Sequence, residues 1–340
     1  MNVEKRKITI LTYNGEKRAG GVERVVYYLR KVLQNNYKIA EIKVKKDFGR
    51  WNYVFYPVIF SLRLKKLKKD SILISHGWQG FLSYSDFIFF HGTTKGAITY
   101  VPEDVSAGTK YIAWMEKAAA QQAYMVIAVS ENCRRELIKF YKIPDNKIIV
   151  LNNAVDGETY FPKKTMKKNE KLRIVFSGVL TKRKGLDFLK ALSSYIKQLD
   201  NVELWIACNN DNNIKEFAGD KNTYIKIGLS AAEMNDLYNF CDVLYFPSRY
   251  EGFSMASLEA LSSGIPIVGS SFAIPEELQK YEFTLLYCEN SPEKIVQYCG
   301  QMKKKFFGLS EMIHEQIIKD FGIKQYTWKL KRIIDTLSVK

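Results

Sequence analysis

The chain has 340 residues, 46% hydrophobic and 26% charged, a balance that excludes disorder and a length that exceeds what one hydrophobic core usually serves, so two domains are expected. Its 52 basic and 36 acidic residues leave a net charge of +16, which calls for an anionic partner: nucleic acid, anionic lipid or a phosphorylated small molecule. Five scattered cysteines without a C-x-x-C pair read as reduced thiols, and three histidines without ligand spacing make a structural metal unexpected.

The opening "MNVEKRKITILTY" is charged and passes into a strand at 7–13, which does not read as a secretory signal. No run approaches the roughly 18 apolar residues that a membrane span needs. A cytoplasmic chain is therefore expected. The loop "NGEKRAGG" (14–21) leads into a helix from Val22, where "VERVVYYLRKVL" repeats apolar residues at helical period. Next comes "WNYVFYPVIFSLRLKKLKKD" (51–70), an aromatic, apolar stretch beside a lysine cluster. It reads either as an interfacial anchor for an anionic membrane or as a helix covering a sheet with its lysines in water. Strands follow at 71–75, 86–92, 125–130 and 147–153.

A lysine-rich, weakly patterned stretch, 157–171, is the candidate linker. The alternation then restarts with a strand (172–178), a helix (186–196), strands at 202–208 and 223–228, a helix (231–240) and a strand (242–248). A helix over 254–262, a strand from Pro266 and two terminal helical stretches complete it. The expected fold class is α/β, two doubly wound Rossmann-like domains in tandem at 1–156 and 157–322. Open parallel sheets bind ligands beyond the carboxyl ends of their strands, so two such sheets facing each other would hold a substrate in a cleft.

The most specific stretch is "RYEGFSMASLEALSSGIPIVGSS" (249–271). It places Glu251 in the loop feeding a helix and Glu259 on that helix, which Gly264 and Pro266 stop. Residues 252–256, covering Gly252, Phe253, Ser254 and Met255, offer backbone N–H groups at the positive end of the helix dipole, a ready anion site. A carboxylate on either side of a bound phosphate can grip hydroxyls, as proteins commonly grip ribose. The geometry suits a ligand of the form sugar–diphosphate–ribose–base.

The pattern E-G-F-x-x-x-x-x-E-A-x-x-x-G-x-P-I-V resembles the E-x7-E element of the retaining GT-B glycosyltransferases of family GT4. The resemblance implies that Glu251 contacts donor-sugar hydroxyls and that Glu259 holds the nucleotide ribose. Other motifs follow in the family's order. Gly20–Gly21 resembles its N-terminal glycine loop. "FFHGTT" resembles its strand-plus-histidine element and implies His91 near the donor sugar, with His76 in "SHGWQG" ranked second. Ser130 through Asp156 is similar to its end-of-domain segment, although Ala154 replaces the usual glycine. "FSGVLTKRKGLDFLKAL" resembles the phosphate-binding loop of a subgroup that includes lipopolysaccharide-core glucosyltransferases, with Arg183 and Lys184 as the cations. "YTWKL" (326–330) resembles the final helix, which crosses back onto the first domain, so 323–340 is expected to join it.

The resemblance implies transfer of a hexose, with UDP-glucose favoured, from a nucleotide sugar to a lipid-linked, lipopolysaccharide or capsular saccharide. It also implies retention at the anomeric carbon. No D-x-D occurs in the sequence, so no metal or other cofactor is expected and the two cations take the metal's place. His91, Glu251 and Lys184 are the expected catalytic residues. The net charge adds an expected peripheral association with the inner membrane face. A nucleotide-sugar epimerase or a phosphorylase on the same fold is the alternative. A nucleic-acid-binding module would suit the charge, but no RNP pattern, zinc finger or recognition helix is present.

Overall fold

The computed structural model describes residues 6–13, 21–44, 49–64, 71–163, 170–209 and 212–339. The chain forms two compact units, one of Met1–Asn153 with Tyr326–Lys340 and one of Ala154–Gln325. Gly20 and the lysines at 65, 66, 68 and 69 lie outside the described residues.

In the first unit, β1 (Lys7–Tyr13) leads to α1 (Gly21–Leu33), β2 (Lys38–Val44), α2 (Asn52–Leu64), β3 (Ser71–His76) and β4 (Phe87–Phe90). Then come α3 (Thr94–Tyr100), α4 (Ala107–Gln122), β5 (Met125–Ala128), α5 (Glu131–Tyr141) and β6 (Ile148–Val150). The strands pair in parallel in the order β2-β1-β3-β4-β5-β6. The chain runs outward from β1 to β2 and returns on the other side with β3, so the order reverses between β1 and β3. α/β sheets bind ligands at such a reversal, outside the carboxyl ends of the strands. All four residues of β4, Phe-Ile-Phe-Phe, are buried, as a strand covered on both faces requires.

Helix α2 covers this sheet with one face and presents apolar residues on the other. Tyr56 and Phe60 are fully buried in a cluster with Leu11, Ile42 and Leu73, whereas Val54, Phe55, Val58 and Leu62 on the helix, and Trp51 just ahead of it, are exposed. The second sequence reading of this segment is thus right for the inner face. The outer stripe is apolar as well.

In the second unit, β7 (Leu172–Ser177), α6 (Leu186–Ile196), β8 (Val202–Cys208), β9 (Thr223–Ile227), α7 (Ala231–Phe240) and β10 (Val243–Phe246) lead to α8 (Met255–Ser262). They are followed by β11 (Ile267–Gly269), α9 (Glu276–Gln279), β12 (Thr284–Leu286), α10 (Pro292–Lys305) and α11 (Ser310–Phe321). The last helix, α12 (Ile323–Asp335), carries the chain from the second unit back into the residues of the first. The second sheet is also parallel, in the order β12-β11-β10-β7-β8-β9. Its reversal lies between β7 and β10.

Residues 155–163 are fastened to the second unit. The Val155 amide donates to Phe321 O at 2.9 Å, the Phe161 amide to Asn235 Oδ1 at 3.1 Å and the Lys163 amide to Asn239 Oδ1 at 2.6 Å. Buried side-chain amides on α7 take up the backbone groups that a free linker would leave to water.

Candidate functional site

The two loops that leave β7 and β10 at the reversal of the second sheet carry Arg183–Lys184 and Glu251. Backbone and side-chain bonds join them. The Arg249 amide donates to Arg183 O at 2.8 Å, and the Arg183 guanidinium donates to Tyr250 O at 3.1 Å. Arg249 grips the first loop from outside, donating to Lys182 O at 2.6 Å and to both Asp187 carboxylate oxygens at 2.8 and 2.6 Å. Hydrogen bonding from Arg249 holds the Asp187 carboxyl below the usual aspartate range.

Gly185 makes the close approach of the loops possible. Its φ is +85°, and a Cβ there would lie 2.6 Å from Pro247 O. A side chain would meet both a disfavoured backbone and rigid main chain. Gly185→Ala is expected to lower the unfolding free energy by about 3 kcal/mol, from about 1–3 each for the left-handed backbone and the overpacking. A urea titration that leaves the midpoint unchanged would contradict this.

Within this frame Lys184 Nζ lies 2.5 Å from Glu251 Oε1, and Arg183 Nη1 lies 3.4 Å from the same oxygen. The Lys184 and Glu251 side chains are only 15% and 12% exposed. Two cations thus share one carboxylate oxygen in a half-shielded setting, where charges act more strongly than in open water.

Glu251 leads into the α8 helix. Ser254 is its N-cap, with Oγ accepting from the Ser257 amide at 3.2 Å. Phe253 has its ring in the core, 5.8 Å from that of Phe321 between centroids, so only its backbone is available to a ligand. Gly252 and Met255 are buried, and Glu259 is fully buried on the helix. Gly264 ends the run at φ +82°, packed against Ser310.

In the first unit His91 follows β4 and His76 ends β3, so both lie at carboxyl ends of adjacent strands. His76 Nδ1 is 3.0 Å from His91 Nε2. Burial pushes the His91 imidazole down to about 4, while burial and the neighbouring His91 push His76 well below the ordinary histidine range. Both rings are therefore neutral at pH 7. Gly21 is the first residue of α1.

Two buried glutamates brace the same end of the sheet. Glu116 accepts from the Thr94 amide at 2.9 Å, from Thr94 Oγ1 at 2.8 Å and from the Tyr141 hydroxyl. Burial outweighs these bonds and raises its carboxyl above the usual range. Glu136 accepts from Thr93 Oγ1 at 2.7 Å, and Gly96 leaves room for it, since a Cβ there would lie 2.4 Å from Glu136 Oε2.

Two family models match in chain order, Glycosyltransferase Family 4 over residues 37–159 and Glycosyl transferases group 1 over 171–304. The chain belongs to the group 1, family 4 glycosyltransferases. A relative of this glycosyltransferase chain is the uncharacterized glycosyltransferase MJ1607 of Methanocaldococcus jannaschii, 25% identical over 243 residues, covering 66% of this chain and 61% of the relative. The chain spans between 41% and 61% of the length of the first curated relatives it matches. Its fold is similar to that of a sucrose-phosphate synthase from Thermosynechococcus elongatus, with a TM-score of 0.81 and 14% identity over 98% of this chain and 100% of the other. It is also similar to that of WaaG, a glycosyltransferase involved in lipopolysaccharide biosynthesis, with a TM-score of 0.76 and 14% identity over 96% and 99%. The family 4 chain thus has the α/β fold of GT-B type expected from its sequence.

Among the expected donor-site residues of this glycosyltransferase chain, Arg183, Lys184 and Glu251 come together directly. Gly252, Phe253, Ser254 and Met255 form the entry to the helix that carries Glu259. Sequence reasoning did not single out Arg249, Glu116 or Glu136. The signal for Arg249 was present, a cation in one loop and Asp187 behind the other, but only the folded pairing joins them.

Proposed function

We propose that this chain transfers a hexose from a nucleoside-diphosphate sugar to a saccharide acceptor, with retention at the anomeric carbon and without a metal. The Arg183–Lys184–Glu251 cluster at the reversal of the second sheet carries this reading. Two cations there would meet the diphosphate and stabilise the charge it gains on leaving, the part a metal otherwise plays. Glu251 would turn from the cations to the sugar hydroxyls, the α8 N-terminus would meet phosphate oxygens, and Glu259 would hold the ribose. The acceptor hydroxyl attacks from the leaving-group face, and a donor phosphate oxygen takes its proton. No enzyme nucleophile is needed, unlike in the two-carboxylate retaining glycosidases. His91 supports the sugar as an uncharged group, since an imidazolium would oppose the developing oxocarbenium charge. The Arg183–Lys184–Gly185 sequence favours UDP-glucose as donor.

The test is a thermal-stabilisation screen of nucleotide sugars, followed by turnover of the best binder with saccharide and glycolipid acceptors in excess chelator. An α-configured product from an α-linked donor, at a rate indifferent to chelator, is expected. Loss of activity on chelation, a β product, or consumption of donor without an acceptor would contradict the reading, the last in favour of an epimerase. Glu259→Gln keeps the buried volume and is expected to weaken nucleoside diphosphate binding about tenfold to a hundredfold, the value of a hydrogen bond to a charged group. Unchanged affinity by calorimetry would reject the ribose assignment.

The acceptor in this reading is lipid-linked, at an anionic membrane surface. No helix among the described residues is long and apolar enough to cross a membrane. The exposed stripe of α2, with Arg63 at its end and the +16 net charge, suits adsorption to such a surface. Replacing Trp51 and Phe55 with serine is expected to abolish co-sedimentation with vesicles containing phosphatidylglycerol at low salt. Equal sedimentation of the variant, or equal binding to neutral vesicles, would contradict the membrane assignment.

A further inference from the structure

The two histidines at the carboxyl ends of β3 and β4 meet edge to edge. Their centroids are 5.2 Å apart and their planes differ by 21°, close to what two imidazoles touching nitrogen to nitrogen in one plane require. The 3.0 Å Nδ1–Nε2 contact therefore runs along the nitrogen lone-pair directions, as a real hydrogen bond does. One proton lies between them. If His76 donates from Nδ1, His91 must carry its own proton on Nδ1; if His91 donates from Nε2, His76 must carry its own on Nε2. Each ring thus fixes the tautomer of the other.

A histidine in a working site is more often oriented by a carboxylate or a backbone carbonyl. Here the nearby buried carboxylates are engaged elsewhere, Glu116 by Thr94 and Tyr141 and Glu136 by Thr93. The outer nitrogens, His76 Nε2 and His91 Nδ1, are buried without a hydrogen-bond partner among the described residues. Leaving such atoms unpaired costs about 1–3 kcal/mol each, so a purely structural pair would be a poor use of two buried imidazoles. Phe89 closes one flank of His76, with centroids 5.6 Å apart. A neutral partner orients His91 without supplying the negative charge that would draw a second proton onto it.

We infer that His76 is a positioning residue, which locks His91 in a single neutral tautomer and ring orientation for its contact with the donor sugar. The contact with the sugar rests on the function proposed above; the locked tautomer does not. Nitrogen NMR of the 15N-histidine-labelled protein tests the lock, because only three histidines contribute and His314→Gln removes the third. The spectrum at pH 7.5 should show His76 and His91 each in one pure neutral tautomer, protonated on the same type of nitrogen, Nδ1 or Nε2. Averaged tautomers or an imidazolium in the unaltered protein would overturn the inference without any variant. In His76→Phe the His91 signals should move to averaged positions, whereas His76→Asn, which keeps an amide where Nδ1 stood, should preserve them. Turnover is expected to fall about tenfold to a hundredfold in His76→Phe, as when an orienting partner of a ligand histidine is lost, with donor KM little changed and with recovery in His76→Asn. A His91 tautomer indifferent to His76→Phe, or equal kcat in the two variants, would overturn it. Absence of turnover in the unaltered protein with every nucleotide sugar would sink the proposed function and leave the spectral result standing.

Discussion

Glu251→Ala is expected to reduce turnover by about a hundredfold to a thousandfold, the range for loss of one well-placed group in a charge-stabilising site, while nucleoside diphosphate binds as well as before or better. The ground for the second half is the 2.5 Å contact of Lys184 with Glu251. Glu251 is paired with the cations that the proposed diphosphate would need, so on this reading binding has to displace it. Removing the competitor frees Lys184 and Arg183 for the phosphates and is expected to tighten the nucleotide by up to about tenfold, or 1.4 kcal/mol. The sugar loses its hydroxyl contact, so affinity for the intact donor should not rise with that for the diphosphate. Calorimetry with both ligands, beside steady-state rates, separates the two effects. Weaker diphosphate binding would show that Glu251 supports the loop rather than the sugar.

Lys184→Ala should give the opposite pattern. It removes the cation most closely held in the cluster, so diphosphate affinity and kcat both fall, the latter by about a hundredfold or more. The affinity loss should also flatten the dependence of binding on salt, because one screened attraction has gone. Lys184→Arg is not expected to restore the rate, since a planar guanidinium cannot occupy the same point beside Glu251 and the Phe246 ring. The double variant with Glu251→Ala should be non-additive, because the two side chains contact each other directly. Additive losses in kcat would mean that they act on separate steps.

The parts of the fold legible in the sequence were those with a clean period. Strand β1, helix α6, strand β8 and helix α7 occupy the residues read for them. Helix α4 escaped notice because Tyr111 and Trp114 lie exposed on its outer face, where polar residues would have marked an amphipathic pattern. Strand β2 is not legible because Lys38, Glu41 and Lys43 interrupt the apolar run of "KIAEIKV". At the site, the E-x7-E spacing and the Arg-Lys-Gly loop are legible because each is a short local pattern that needs no knowledge of the fold. The His76–His91 bond and the Arg249–Asp187 clamp were not, because each joins loops that only sheet pairing brings together. The ion pair between Lys184 and Glu251 was hidden for the same reason. The two residues are assigned separate parts of the ligand by their motifs, which gives no sign of their contact with each other.

The most direct measurement is a crystal structure with an intact nucleoside-diphosphate sugar bound. The diphosphate should lie against Lys184, Arg183 and the first amides of α8, with Glu251 moved from the cations onto sugar hydroxyls and Glu259 on the ribose. A diphosphate held away from the loops that follow β7 and β10, or Glu251 still paired with Lys184 beside a bound donor, would contradict the account.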